Sequence, residues 1–228
     1  MILQPLSQVL IFAFVLSAIM SARLPEVTSK YGYSIYLMAG ILSWSLFVEI
    51  LTRCMTLFVE NANLLKKLSF PKITLPFIVL GSSIFNNFLL FLAILLIFGV
   101  LGHWPNLSLL WLPVLVLINV LLAFGCGLII GVLNVFMPDI GQIVPIVLQL
   151  LFWITPIVYM VNILPPRYHR FLLINPLVPI VDGYHNILLF NKAPDWSTLV
   201  FPVLLSLPLL GFGLLLFRKA NKEMVDLL

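Results

Sequence analysis

The feature that most constrains this chain is the length of its uncharged stretches. Across 73–138 no Asp, Glu, Lys or Arg occurs, and across 140–166 none occurs again. A chain folding in water interleaves charge with apolar residues, about a quarter of the total. Here only 9% of residues are charged and 62% are hydrophobic, with a mean hydropathy of +1.18. That polar surface cannot cover a compact domain in water, so lipid is the solvent for most of the chain. In hydrocarbon every backbone N–H and C=O must be paired within the protein, which leaves helices or a closed barrel. The apolar runs are continuous and lack the two-residue alternation of barrel strands, so they are helices.

A hydrocarbon core of about 30 Å needs about 20 residues per crossing. Six runs are long enough, near 2–22, 34–58, 74–101, 108–135, 141–162 and 198–217. A very short turn at Met137-Pro138-Asp139 joins the fourth to the fifth. The segment 163–197 is apolar in places, but Asn175, Pro176, Pro179, Asp182, His185 and Asn186 divide it into pieces too short to cross. It is expected to enter and leave on one side as two re-entrant half-helices. The basic residues agree with six spans and a cytoplasmic start: Arg53, Lys66, Lys67, Lys72, Arg218, Lys219 and Lys222 then outnumber Arg23, Lys30, Arg167, Arg170 and Lys192, as the positive-inside tendency requires. A seventh span would reverse the excess. Both termini are therefore expected in the cytoplasm. Because no basic residue precedes the first apolar run, 1–22 is expected to be a retained span and not a signal peptide.

The dispersed basic residues do not form a nucleic-acid surface, so the net charge of +4 bears on orientation. Cys54 and Cys126 lie in apolar runs and are expected to behave as small buried hydrophobes. No catalytic constellation, phosphate-binding glycine loop or metal-ligand spacing is present. Asp182-Gly-Tyr-His185 is expected to be a capped turn leading into a half-helix. All six tyrosines and Trp104, Trp111 and Trp196 map to the outer side, as an interfacial belt or the lining of an exit. Trp44 and Trp153 fall well inside spans.

Within the second run, Glu49 and Arg53 are spaced i,i+4, so their side chains meet on one helix face. Two readings stand: a self-neutralising pair with Arg53 reaching toward the headgroups, or the cytoplasmic mouth of a polar pathway. Gly125, Gly127 and Gly131 are expected to make one face of the fourth span small enough for close helix packing. The connection 59–72 mixes Val59, Leu64, Leu65, Leu68 and Phe70 with Glu60, Asn61, Asn63, Lys66 and Lys67. This pattern makes a short amphipathic helix that stops before Pro71, suited to a membrane surface or a groove in a partner protein.

Three motifs carry a resemblance: Glu60-Asn-Ala-Asn-Leu-Leu-Lys-Lys67 followed by Phe70-Pro71; Asp139-Ile-Gly-Gln-Ile-Val-Pro-Ile-Val-Leu-Gln-Leu-Leu-Phe-Trp-Ile-Thr-Pro-Ile-Val-Tyr159; and Asn175-Pro-Leu-Val-Pro-Ile-Val-Asp-Gly-Tyr184. In this order and placement the chain resembles the permease subunits of type-2 ABC exporters of O-antigen and related polysaccharides. The resemblance implies an all-α polytopic membrane protein, a single permease domain over 1–228 with six transmembrane helices and re-entrant outer half-helices. It implies a homodimer in a bacterial inner membrane, two copies of a separate ABC ATPase that bind the ATP and magnesium, no cofactor in this chain, and a glycan on a polyprenyl diphosphate as cargo.

In that family the stretch matching 59–72 is the coupling helix, so Glu60, Asn61, Leu64, Leu65, Lys66 and Lys67 are the expected ATPase contacts. Trp44, Glu49, Arg53, Trp153 and Tyr159 are candidates for lining the channel. Family members carry an amphipathic gating segment before the first span; here Met1 already matches the span, so that segment is expected to be missing from this sequence. His185 stands where a common arginine follows the third motif. The open alternatives are a related permease for teichoic-acid-like polymers or drugs, an intramembrane enzyme acting on lipid-linked sugars, and an assembly protein without transport.

Overall fold

The computed structural model describes Ser7, 31–62, 73–163, Pro165, Arg167, Leu172 and 174–227. Among these residues all regular structure is helical. Helix α1 covers Gly32–Glu60, α2 Thr74–Val100 and α3 Leu112–Phe136, the last entered through a short 3-10 turn at Leu107–Trp111. Helix α4 covers Ile140–Ile154, α5 Leu177–Leu188 and α6 Trp196–Leu227. Four helical stretches are long and apolar enough to cross a membrane: Gly32–Glu60, Thr74–Val100, Leu107–Phe136 and Trp196–Ala220. They correspond to the second, third, fourth and sixth expected spans; the first, 2–22, lies outside the described residues apart from Ser7.

The fifth expected span, 141–162, is shorter than its hydropathy implied. Its helix ends at Ile154 after 15 residues, about 22 Å at 1.5 Å per residue and less than the hydrocarbon thickness. The cause is Pro156, whose ring disfavours helical geometry at the preceding residue. Thr155 is accordingly extended, with φ −80° and ψ 134°. Helix α5 has 12 residues, about 18 Å, and is too short to cross.

Helix α1 is the centre of the bundle, with most of its side chains buried from Ile35 to Phe58. It packs against α3 where glycines remove the side chains between them. A Cβ at Gly127 would lie 2.8 Å from Cys54 Cβ, and one at Gly131 would strike the Cys54 carbonyl. The three glycines do not share one face, as expected from the sequence, but serve two partners. Gly125 opposes the α6 backbone at Leu209 and Leu210, because positions 125 and 127 point about 200° apart around the helix. Polar groups reinforce the α1–α3 seam: the Asn119 amide donates to the Ser43 carbonyl at 2.8 Å and the Asn134 amide to the Met55 carbonyl at 3.1 Å. Cys54 is buried and free, as its apolar setting implied.

Asn134 beside Met55 and Phe58 stacked on Phe217 place the ends of α1, α3 and α6 together at the near end of the bundle. At the opposite, far end, α2 stops at Gly102, whose φ of +74° suits a residue without a side chain. The turn then reaches α5, where His103 Nε2 lies 2.7 Å from the Leu188 carbonyl. Trp111 meets Trp196 edge-on nearby. The faces of α2, α4 and α6 that point away from α1 carry exposed Phe85, Leu96, Ile146, Leu150, Phe201 and Phe212, the surface a lipid solvent requires.

Candidate functional site

Two polar constellations interrupt the apolar bundle. The first grows from the i,i+4 pair on α1, where Arg53 Nη1 lies 3.1 Å from Glu49 Oε1. Two residues of α2 complete it: Arg53 donates to the Ser83 hydroxyl at 3.2 Å, and the Asn86 amide donates to Glu49 Oε1 at 2.7 Å. The next residue, Asn87, donates to the Leu42 carbonyl at 3.0 Å. Ser83, Asn86 and Asn87 were missed in the sequence reading, although their i,i+3,i+4 spacing in an uncharged run marks one polar helix face. Arg53 and Glu49 retain side-chain exposures of 29% and 21%, so the pair is half-buried. Arg53 lies seven residues before the end of α1, about 10 Å from the near end of the bundle.

The second constellation occupies the far end, where α4 unwinds. The Tyr36 hydroxyl stands 2.9 Å from the Pro156 carbonyl and 2.8 Å from that of Tyr159, and the Tyr33 hydroxyl donates to the Val158 carbonyl at 2.8 Å. The Thr155 hydroxyl donates to the Leu151 carbonyl and accepts from the Asn175 amide. Carbonyls orphaned by the proline break are thus taken up by side chains, as apolar surroundings demand. The His185 ring stacks on Tyr36, with centroids 3.7 Å apart and an interplanar angle of 15°.

Asp182 and His185 lie within α5 and not in a capped turn before it; the residue before the helix is Pro176. Except for Asp182 and Asn186, α5 is buried throughout, so these two form its single polar face. That face borders a pocket of about 350 Å³ together with Tyr36, His185, Phe190 and Asp195.

The channel candidates do not converge within the chain. Trp44 points to α4 and meets Phe152 edge-on at 5.5 Å, whereas Arg53 faces α2, since nine residues turn a helix about 180° relative to Trp44. Trp153 is 59% exposed. The Tyr159 hydroxyl donates to the Ile154 carbonyl at 2.8 Å, which gives it a place in the α4 break. Of the expected coupling residues, Glu60 is exposed in the last turn of α1, and the Asn61 side chain and backbone N–H both donate to the Leu57 carbonyl. Glu60 therefore belongs to the span and Asn61 caps it. Leu64, Leu65, Lys66 and Lys67 lie outside the described residues.

The model of the ABC-2 type transporter family matches residues 1–189. The chain belongs to that family. It is 26% identical over 232 residues to an O-antigen export system permease protein RfbA of Klebsiella pneumoniae, covering 100% of this chain and 85% of the relative. A protein of the same name from Myxococcus xanthus is 26% identical over 227 residues, with coverages of 98% and 85%. The polysialic acid transport protein KpsM of Escherichia coli is 22% identical over 228 residues, with coverages of 98% and 86%. In this ABC-2 type transporter the polar cluster on α1 and α2 and the unwound end of α4 lie toward opposite ends of one continuous helix, α1.

Proposed function

We infer that the chain is the membrane subunit of an ATP-driven exporter of a polysaccharide, an O-antigen or similar glycan carried on a polyprenyl diphosphate lipid. The observation that carries this reading is likeness along nearly the whole chain to relatives named for O-antigen export and polysialic acid transport. The subunit works as a homodimer of six-span protomers in a bacterial inner membrane with both termini in the cytoplasm. The span 2–22 precedes α1, 155–162 completes the α4 crossing, and 163–197 returns as re-entrant half-helices at the outer mouth. A separate ABC ATPase binds ATP and magnesium and docks on Glu60, Asn61, Leu64, Leu65, Lys66 and Lys67. Its closure opens a path between protomers, with Glu49 and Arg53 near the cytoplasmic entrance and Trp44, Trp153 and Tyr159 further along. Membrane lipids cover the apolar outer faces, and nucleic acid is no partner.

The half-buried charged pair supports a hydrated entrance, since charges at membrane depth face protein or water and not lipid. Deletion of the gene followed by glycan localisation tests the function. Lipid-linked polymer retained inside the cell is the expected outcome; polymer that is truncated or absent would assign the chain to synthesis.

A further inference from the structure

We propose that the far-end pocket bordered by α5 is a subsite for the hydroxyl groups of an uncharged sugar residue, with His185 Nδ1 and Asp182 as the paired acceptors. The proposal rests on the exporter reading, and it narrows the cargo to a glycan whose units are neutral where they pass this pocket.

The tautomer of the neutral His185 ring follows from its partner. Nε2 lies 3.1 Å from the Tyr36 carbonyl oxygen, which only accepts, so the neutral ring carries its proton on Nε2 and leaves Nδ1 as a bare lone pair. His185 is 2% exposed and Nδ1 has no hydrogen-bond partner. Asp182 Oδ1 lies 4.0 Å from Nδ1, on a side chain 44% exposed. Two acceptors thus face one another beyond hydrogen-bond reach, with no donor between them among the described residues, an arrangement completed by a group that supplies donors to both. Adjacent ring hydroxyls do so.

The pocket has room for more than one water. Its volume of about 350 Å³ is roughly ten times the share of a single water in the liquid. Phe190 supplies an apolar wall, Asn186 an amide one helical turn from Asp182, and Asp195 a second carboxylate. The Asp195 Oδ1 atom accepts from the Ser197 N–H and hydroxyl at the start of α6, which makes Asp182 the less engaged carboxylate of the two. Among the described residues no Lys or Arg borders the pocket, and an anionic sugar would meet the two carboxylates there.

The permease bound to its ATPase in lipid nanodiscs, with isotopically labelled histidine, is titrated with mannohexaose, galactohexaose and hexasialic acid while the ring nitrogens are followed by NMR. With three histidines in the chain, the signal is assigned by its loss in His185→Gln. A saturable shift of the Nδ1 resonance with a neutral oligosaccharide, absent with hexasialic acid, is expected. Asp182→Asn, checked for unchanged melting and ATPase association, weakens that response about tenfold. No response to either neutral probe, an equal response to hexasialic acid, or full binding by Asp182→Asn overturns the subsite. If deletion leaves surface polymer intact, the exporter reading itself falls. If polymer is retained inside and neither neutral probe moves the resonance, the subsite alone falls.

Discussion

Gly131→Ala isolates the close approach of α1 and α3. A methyl at Gly131 meets the Cys54 carbonyl, and one at Gly127 would stand 2.8 Å from Cys54 Cβ. Carbon atoms rest at about 3.5–4.0 Å, so such contacts drive the helices apart by about 1 Å, a gap that forfeits roughly a quarter to a half of the attraction between facing atoms. Overpacking of this kind costs about 1–3 kcal/mol, and a carbonyl cannot rotate away as a side chain can. The gain of alanine over glycine in a helix, about 0.5–1 kcal/mol, offsets part of it. Net destabilisation of about 1–2 kcal/mol is expected for Gly131→Ala. Gly81 on α2 is the control, because nothing lies within 4 Å of its would-be Cβ; Gly81→Ala retains only the helix gain. Reversible unfolding of the purified permease in detergent measures both. A Gly131→Ala protein as stable as the parent, with Gly81→Ala behaving as stated, would refute the packing of α1 on α3.

Arg53→Ala leaves Glu49 half-buried with Asn86 as its remaining partner, so it should cost about 1–3 kcal/mol. The double Glu49→Gln, Arg53→Gln protein should unfold closer to the parent, as a double-mutant cycle on the same assay will show. Tyr36→Phe removes the hydroxyl shared by the Pro156 and Tyr159 carbonyls while keeping the ring on His185. A loss of about 1 kcal/mol is expected, with faster amide exchange over 157–160 and unchanged exchange near Asn61. Charge reversal at both Lys66 and Lys67 should reduce ATPase co-purification; an undiminished yield would count against docking through that segment.

Much of the architecture was legible because the solvent imposes it. An uncharged run of more than 20 residues has few alternatives to a membrane helix, and α1, α2, α3 and α6 each lie where hydropathy indicates. The Glu49–Arg53 pair was equally legible, since i,i+4 spacing brings side chains together whatever surrounds the helix. The same logic overreached at 141–162, where apolarity continued past Pro156 while helical geometry did not. Asp182 and His185 also fell elsewhere than the local pattern implied, because Asn-Pro before a short segment marks a turn and burial decides how far the following helix extends.

What the sequence by itself determined is the solvent, the place of the four long helices among the described residues and the pairing of Glu49 with Arg53 along one of them. Only the tertiary structure decided which faces meet: that Gly125 and Gly127 serve different helices, that Ser83 and Asn86 join a charged pair 30 and 37 residues away, and that Trp44 and Arg53 point apart. In lipid the apolar face is no guide to the interior, since both solvent and core are apolar. Close contact is then chosen by shape and by the few polar groups that must find partners, and those are matched only when the helices are side by side.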